Sequence, residues 1–204
     1  MFINLAPLHW QPLSGLGSTV STVALSSAED HALAGSLLGN VRMWDLNHGE
    51  AVRTFATGPS AKPVPVAAVE SHPTDHFVAS SGRDGVVRVW DVRQKACIQN
   101  HRLAASTFAG QLMFSPDGRL LLAGKQDGNA EVWRGFTTQS PSHLKKQQQQ
   151  IFDLATGKSL KTLVVSDHNA PVTSLAIHPT EFLLGTASKD GCVKYNHSKM
   201  KIKS

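Results

Sequence analysis

A chain of 204 residues has room for one or two domains, and it contains no run of about 18 apolar residues, so no membrane span is expected. Its two cysteines, Cys97 and Cys192, are too few and too far apart for a disulfide framework or a cysteine metal site, which suits a reducing compartment. The net charge of +5 is concentrated: residues 134–150 and 194–204 hold seven basic residues and no acidic one, leaving 13 basic against 15 acidic elsewhere, so the charge gives no reason to expect a nucleic-acid partner.

The opening "MFINLAPLHWQPL" lacks both a basic n-region and an apolar h-region. No signal peptide is expected there, and 1–17 reads as a lead-in. From residue 18 the chain falls into four similar units, 18–57, 64–104, 108–165 and 170–196. Each opens on a short apolar strand: "VSTVAL", "VAAVES", "LMFS", "VTSLAI". In the last three units a turn follows, "HPTDH" (72–76), "SPDGR" (115–119) or "HPTEF" (178–182), and then a strand of small residues, "FVASSG", "LLLAGK" or "LLGTAS". An Asp-Gly turn comes next, at Asp84, Asp127 and Asp190. The alternating strand that comes after this turn position ends on Trp44-Asp45, Trp90-Asp91 or Trp133 in the first three units and is followed by a fourth strand such as "AVRTFAT". Trp44 and Trp90 are 46 residues apart, Trp90 and Trp133 are 43 apart. Four short strands in about 40–45 residues, repeated, mark a propeller blade.

The units are uneven. The first has Leu38 in place of the turn Asp, and the fourth has Asn196 in place of the Trp. In the third, no Asp follows Trp133. "IFDLATGKSLKTL" supplies one at Asp153, and deleting 134–152 restores a regular unit. That segment, with its QQQQ run, Ser, Pro and Lys, is expected to be an insertion outside the sheets, and 197–204 a basic tail.

No catalytic constellation emerges. His72 and His178 share the same "HPT" turn position, and Pro73 rules out a metal-binding helix at His72 and His76. There is no G-x-S-x-G elbow, no P-loop and no C-x-x-C, and "GLGSTV" (15–20) reads as a loop. A non-enzyme is expected, with no cofactor and no metal.

These repeats resemble the WD-repeat family over 18–196. The resemblance implies an all-β fold, a WD-repeat β-propeller, here incomplete with about four blades of an expected seven or so. In that family a Ser or Thr on the second strand takes the Trp indole N–H and is linked to a His before the first strand and to the turn Asp. Carried over, this makes Ser81 or Ser80, with Asp84, the partners in the second unit, and Ser188, His168 and Asp190 the set in the fourth. The structural residues are then Trp44, Asp45, Ser81, Asp84, Trp90, Asp91, Asp127, Trp133, Asp153, His168, Ser188 and Asp190.

Within the family, "ALAGSLLGNVRMWDLNHGEAVRTF", "SHPTDHFVASSGRDGVVRVWDVRQKACI", "MFSPDGRLLLAGKQDG" and "IHPTEFLLGTASKDGCVK" resemble the non-catalytic WD-repeat subunits of katanin. That likeness implies a scaffold that binds microtubules or targets the severing ATPase to them and to microtubule-organising centres. Its partners would be tubulin and the katanin ATPase, in the cytoplasm and on the cytoskeleton, with neither nucleic acid nor membrane. No counterpart of the ATPase-binding helical domain lies within these residues. Alternatively, Trp90-Asp91-Val92-Arg93 is similar to the ending by which WD-repeat substrate receptors dock on a cullin-4 ubiquitin-ligase adaptor through Arg93; a generic scaffold is the third reading. Basic residues beside the Asp turns, Arg83, Lys125 and Lys189, are expected to form an exposed arc that meets an acidic partner.

Overall fold

The computed structural model describes residues 12–58, 62–94, 96–103, 107–134, 168–178 and 183–196. Strands β1 (Val20–Leu25), β2 (His31–Ser36), β3 (Asn40–Asp45) and β4 (Glu50–Ala56) form a sheet in chain order. Strands β5 (Val66–Ser71), β6 (Phe77–Gly82), β7 (Val86–Asp91) and β8 (Ala96–Arg102) repeat it. A third sheet comprises β9 (Ala109–Phe114), β10 (Leu120–Lys125) and β11 (Ala130–Arg134), and a fourth β12 (Val172–Ile177), β13 (Leu184–Ser188) and β14 (Val193–Asn196). Every pairing is antiparallel, as short turns between successive strands require. No helix among the described residues is long and apolar enough to cross a membrane.

Arg134 still pairs with Leu120 inside β11. The insertion expected at 134–152 therefore begins no earlier than 135, because the strand continues one residue past Trp133. The remainder of that segment, Asp153 and the 197–204 tail lie outside the described residues.

The sheets stack face to face, with the first strand of each against the first strand of the next: β1 on β5, β5 on β9, β9 on β12. The core is consequently divided among the seams. Leu33, Val41, Met43 and Phe55 of the first sheet meet Val66, Val69, Val78 and Trp90 of the second. Val87 and Val89 meet Leu112, Leu121 and Trp133 of the third. Leu122 of the third meets Val172, Leu175 and Leu184 of the fourth. Alternation sends successive residues of a strand to opposite seams, so the second strands of the first three sheets, covered on both faces, are nearly all buried. Small residues there let the sheets approach: a Cβ at Gly35 would lie 2.5 Å from Val66 Cγ1 of the next sheet.

Polar links cross the seams as well. Ser21 Oγ donates to Val66 O at 2.7 Å. The Asp75 carboxylate accepts the N–H groups of Ser27 and Ala28 at 3.2 Å each. His72, fully buried, has Nε2 at 2.9 Å from Gly118 O, and its Nδ1 accepts the Thr74 N–H at 3.2 Å. A carbonyl can only accept, so the proton sits on Nε2. Burial pushes the His72 pKa down, and the Gly118 carbonyl only partly offsets this. The "HPT" histidine is thus a neutral bridge between second and third sheets.

Candidate functional site

The turns between second and third strands set one face of the molecule. In the first three sheets the turn abuts the loop that leads into the next sheet: Gly39 lies against Val64, Gly85 against Thr107 O, and Gly128 against His168 O. Gly39 and Gly85 adopt positive φ, 79° and 74°, which a side chain there would resist. The turn Asp caps the start of the third strand, accepting from Val86 N (Asp84, 3.1 Å), Asn129 N (Asp127, 3.0 Å) and Cys192 N (Asp190, 2.9 Å). In the first sheet Ser36 Oγ takes the same job, accepting Asn40 N at 3.1 Å. Leu38 is thereby freed from capping, and both Leu37 and Leu38 are exposed.

Behind this face run the polar links of the repeat, with two corrections to the residues expected. The Trp90 indole donates to Ser80 Oγ at 2.8 Å, and not to Ser81. Trp90 stands opposite Val78, so the same-face neighbour two residues on is Ser80, while Ser81 points to the third sheet. In the fourth sheet His168 joins Asp190 Oδ2 and Thr186 Oγ1, each at 2.9 Å. Ser188 instead donates to Ala170 O, also at 2.9 Å, because it sits at the turn end of β13, two residues beyond Thr186. In both sheets the working hydroxyl lies four residues before the turn Asp. The Asp190 carboxyl is held down to about 2, first by the Cys192 N–H and further by His168. Asp84 has Arg88 instead, bonded at 2.6 and 3.2 Å.

These corrections have a measurable consequence. Ser80→Ala strands a buried indole N–H and is expected to cost about 1–3 kcal/mol. The buried Ser81 Oγ has no hydrogen-bond partner among the described residues, so Ser81→Ala should be neutral or slightly stabilising. Thermal melts of both variants separate the two; equal losses would return the role to Ser81.

The Trp at the other positions finds different company. Trp44 donates to Ser14 O at 3.1 Å and packs with Leu16 and Leu13 of the lead-in. Trp133 stacks on His101, with centroids 5.2 Å apart. The Asp that follows Trp closes the next turn: Asp91 accepts Arg93 N at 2.8 Å and Gln94 N at 3.2 Å, and Asp45 accepts Asn47 N at 2.7 Å.

Of the three basic residues expected in an exposed arc, two are there. Arg83 and Lys189 are exposed, Arg83 with its guanidinium 5.7 Å from the Phe108 ring centre. Lys125 is not part of it. Its side chain is 4% exposed and pairs at 3.1 Å with both Asp127 and Glu131. It lies two residues before the turn Asp, where Arg83 and Lys189 lie one before, so it still belongs to β10 and points inward. Gln126 holds the turn position. The face therefore presents Leu37, Leu38, Arg83, Phe108 and Lys189; the two leucines and Phe108 escaped the charge-based reading of the sequence. Arg93 lies at the opposite end of β7, its guanidinium 3.2 Å from Asp91.

The family model for the WD domain, G-beta repeat, matches residues 49–91, 94–134 and 157–195. The chain belongs to the WD-repeat family. Each matched repeat in the first two cases takes the outer strand of one sheet and three strands of the next, ending at the Trp strand. Among relatives of this WD-repeat chain, Autophagy-related protein 16 of Arabidopsis thaliana is 28% identical over 76% of the chain and 30% of that protein. The small ribosomal subunit protein RACK1 of Caenorhabditis elegans is 26% identical over 86% of the chain and 59% of that protein. WD repeat-containing protein VIP3 of Arabidopsis thaliana is 30% identical over 76% and 41%. The chain spans less than two thirds of the length of each. Their names are diverse, so the likeness shows the family and leaves the role and the partner open.

Proposed function

We propose that this WD-repeat chain is a non-catalytic scaffold whose turn face docks an acidic protein segment, in the manner of the katanin targeting subunit it resembles, with the glutamate-rich tails of tubulin as the partner. The supporting observation is the exposed pair Arg83 and Lys189 on the same face as the bare leucines 37 and 38. Cations draw in an acidic tail; the apolar patch gives a bound segment something to bury, which scattered surface lysines do not.

The test is microtubule co-sedimentation, with Lys199, Lys201 and Lys203 changed to Gln in every sample so that the tail cannot substitute. The parent should pellet at low salt and less so as salt rises, since exposed charges are screened. R83E/K189E should lose most of this binding. Failure of the parent to pellet rejects tubulin as the partner, and undiminished binding of the double variant rejects this face. Docking on a cullin-4 adaptor through Arg93 would use the other end of the sheet and be insensitive to R83E/K189E.

A further inference from the structure

The four sheets converge on their first strands, which pack one against the next. Those strands read VSTVAL, VAAVES, AGQLMF and VTSLAI. Among these described residues Glu70 of β5 is the only one that ionises. It lies 14 residues before Asp84, as Met113 lies 14 before Asp127 and Ala176 14 before Asp190. Counted back from Leu38, the same place in the first sheet is Ala24. None of the four is fully buried. The second and third sheets each have a neighbour on both sides, so at Glu70 and Met113 the opening lies along the converging edge and not on an end of the stack.

That edge is a poor place for a lone charge. Its other aligned positions are alanines and a methionine, and Ala67 and Ala68 precede Glu70 on β5. Glu70 shares with Ala68 the face turned to the third sheet, while the first sheet packs on the other face through Val66 and Val69. Its neighbours are thus Ala79, opposite it on β6, and β9, and neither strand carries an ionisable side chain. Lys125, on the same face of β10 as Leu121 and Ala123, is engaged with Asp127 and Glu131 at the turn end. His72 and Asp75, in the turn after β5, are bonded to Gly118 O and to the N–H groups of Ser27 and Ala28. Among the described residues no hydrogen bond or ion pair reaches the Glu70 carboxylate. Burial pushes its pKa up to about 7 with no cation to offset it. A carboxylate partly withdrawn from water without hydrogen bonds is costly, and a charge-assisted pair is the interaction that offsets this most.

We propose that Glu70 is the docking point for an arginine side chain that a partner protein segment presents at the converging edge of the sheets. A guanidinium suits the place better than an ammonium: it is weakly hydrated, so it gives up little water beside alanines and a methionine, and its planar fork matches a carboxylate. Glu70 lies at the end of β5 away from the turn face, so this site and the basic one at Arg83 and Lys189 take partner segments of opposite charge.

The test is the carboxyl-carbon NMR signal of Glu70 in the 204-residue chain, grown with isotope-labelled glutamate and assigned through Glu70→Gln. In the parent the signal should titrate near neutrality, well above those of the exposed glutamates. N-acetyl-arginine amide should move its midpoint to lower pH, because a cation favours the ionised form. N-acetyl-citrulline amide, of the same shape without the charge, and sodium chloride at equal ionic strength should leave it in place. In Glu70→Gln the arginine probe should no longer shift the Ala79 amide signal. Should that variant melt early by circular dichroism, the parent's own titration, assigned through the backbone, still decides. A Glu70 that titrates with the exposed glutamates, a midpoint indifferent to the arginine probe, or an equal response to citrulline or salt overturns the proposal. None of these readings involves the turn face or microtubules, so the site stands or falls separately from the tubulin reading.

Discussion

Trp90→Ala is expected to lower stability by about 3–5 kcal/mol, the range for deleting a large buried aromatic. Three losses coincide at this site. The indole fills the seam between first and second sheets among Leu33, Val41, Met43 and Phe55, and its removal leaves a cavity there. The tilted ring contact with Phe55, 5.4 Å between centres, disappears. Ser80 Oγ, buried, loses its donor at 2.8 Å. Urea unfolding of parent and variant measures the difference. A change below about 1 kcal/mol would mean the seam closes over the gap and Trp90 is not its anchor.

Lys125→Met should be comparably damaging, by about 3–5 kcal/mol, the usual cost of breaking a buried ion pair from one side. Glu131 is 6% exposed on its side chain and would be left as a buried carboxylate without its cation. Pairing the change with Glu131→Leu removes both charges, and the double variant should recover most of the loss. A complete double-mutant cycle by urea unfolding gives the coupling. Equal damage in the double variant would show that Lys125 acts through packing and not through charge.

The same cluster shows how far local sequence carries. Counted from the turn, Arg42, Arg88, Glu131 and Lys194 hold one position. Three are basic and the third sheet alone has an acid, so the reversed charge with Lys125 nearby was visible as a pattern. Its meaning was not, because a lysine next to an Asp-Gly turn looks like a solvated one until β10 is known to run through residue 125. Ser80 and Ser81 present the same problem at single-residue scale. Both are small hydroxyls in one strand, and only the register with β7 says which of them faces the indole.

Strands, turns and their repetition were legible because each is dictated within a few residues: alternation, Asp-Gly turns and Trp-Asp endings act locally and recur at a fixed interval. WD-repeat membership follows from those alone. The tertiary structure decided which faces are covered. Val87 and Val193 occupy equivalent places in their strands, yet one is buried and the other bare, because burial depends on the neighbouring sheet, a contact about 40 residues away in sequence. It likewise moved Lys125 from a partner-binding arc into an internal ion pair and left Leu37 and Leu38 exposed on the rim. Pairing and packing across seams are non-local, and a one-residue change in position along a strand turns a side chain from one seam to the other.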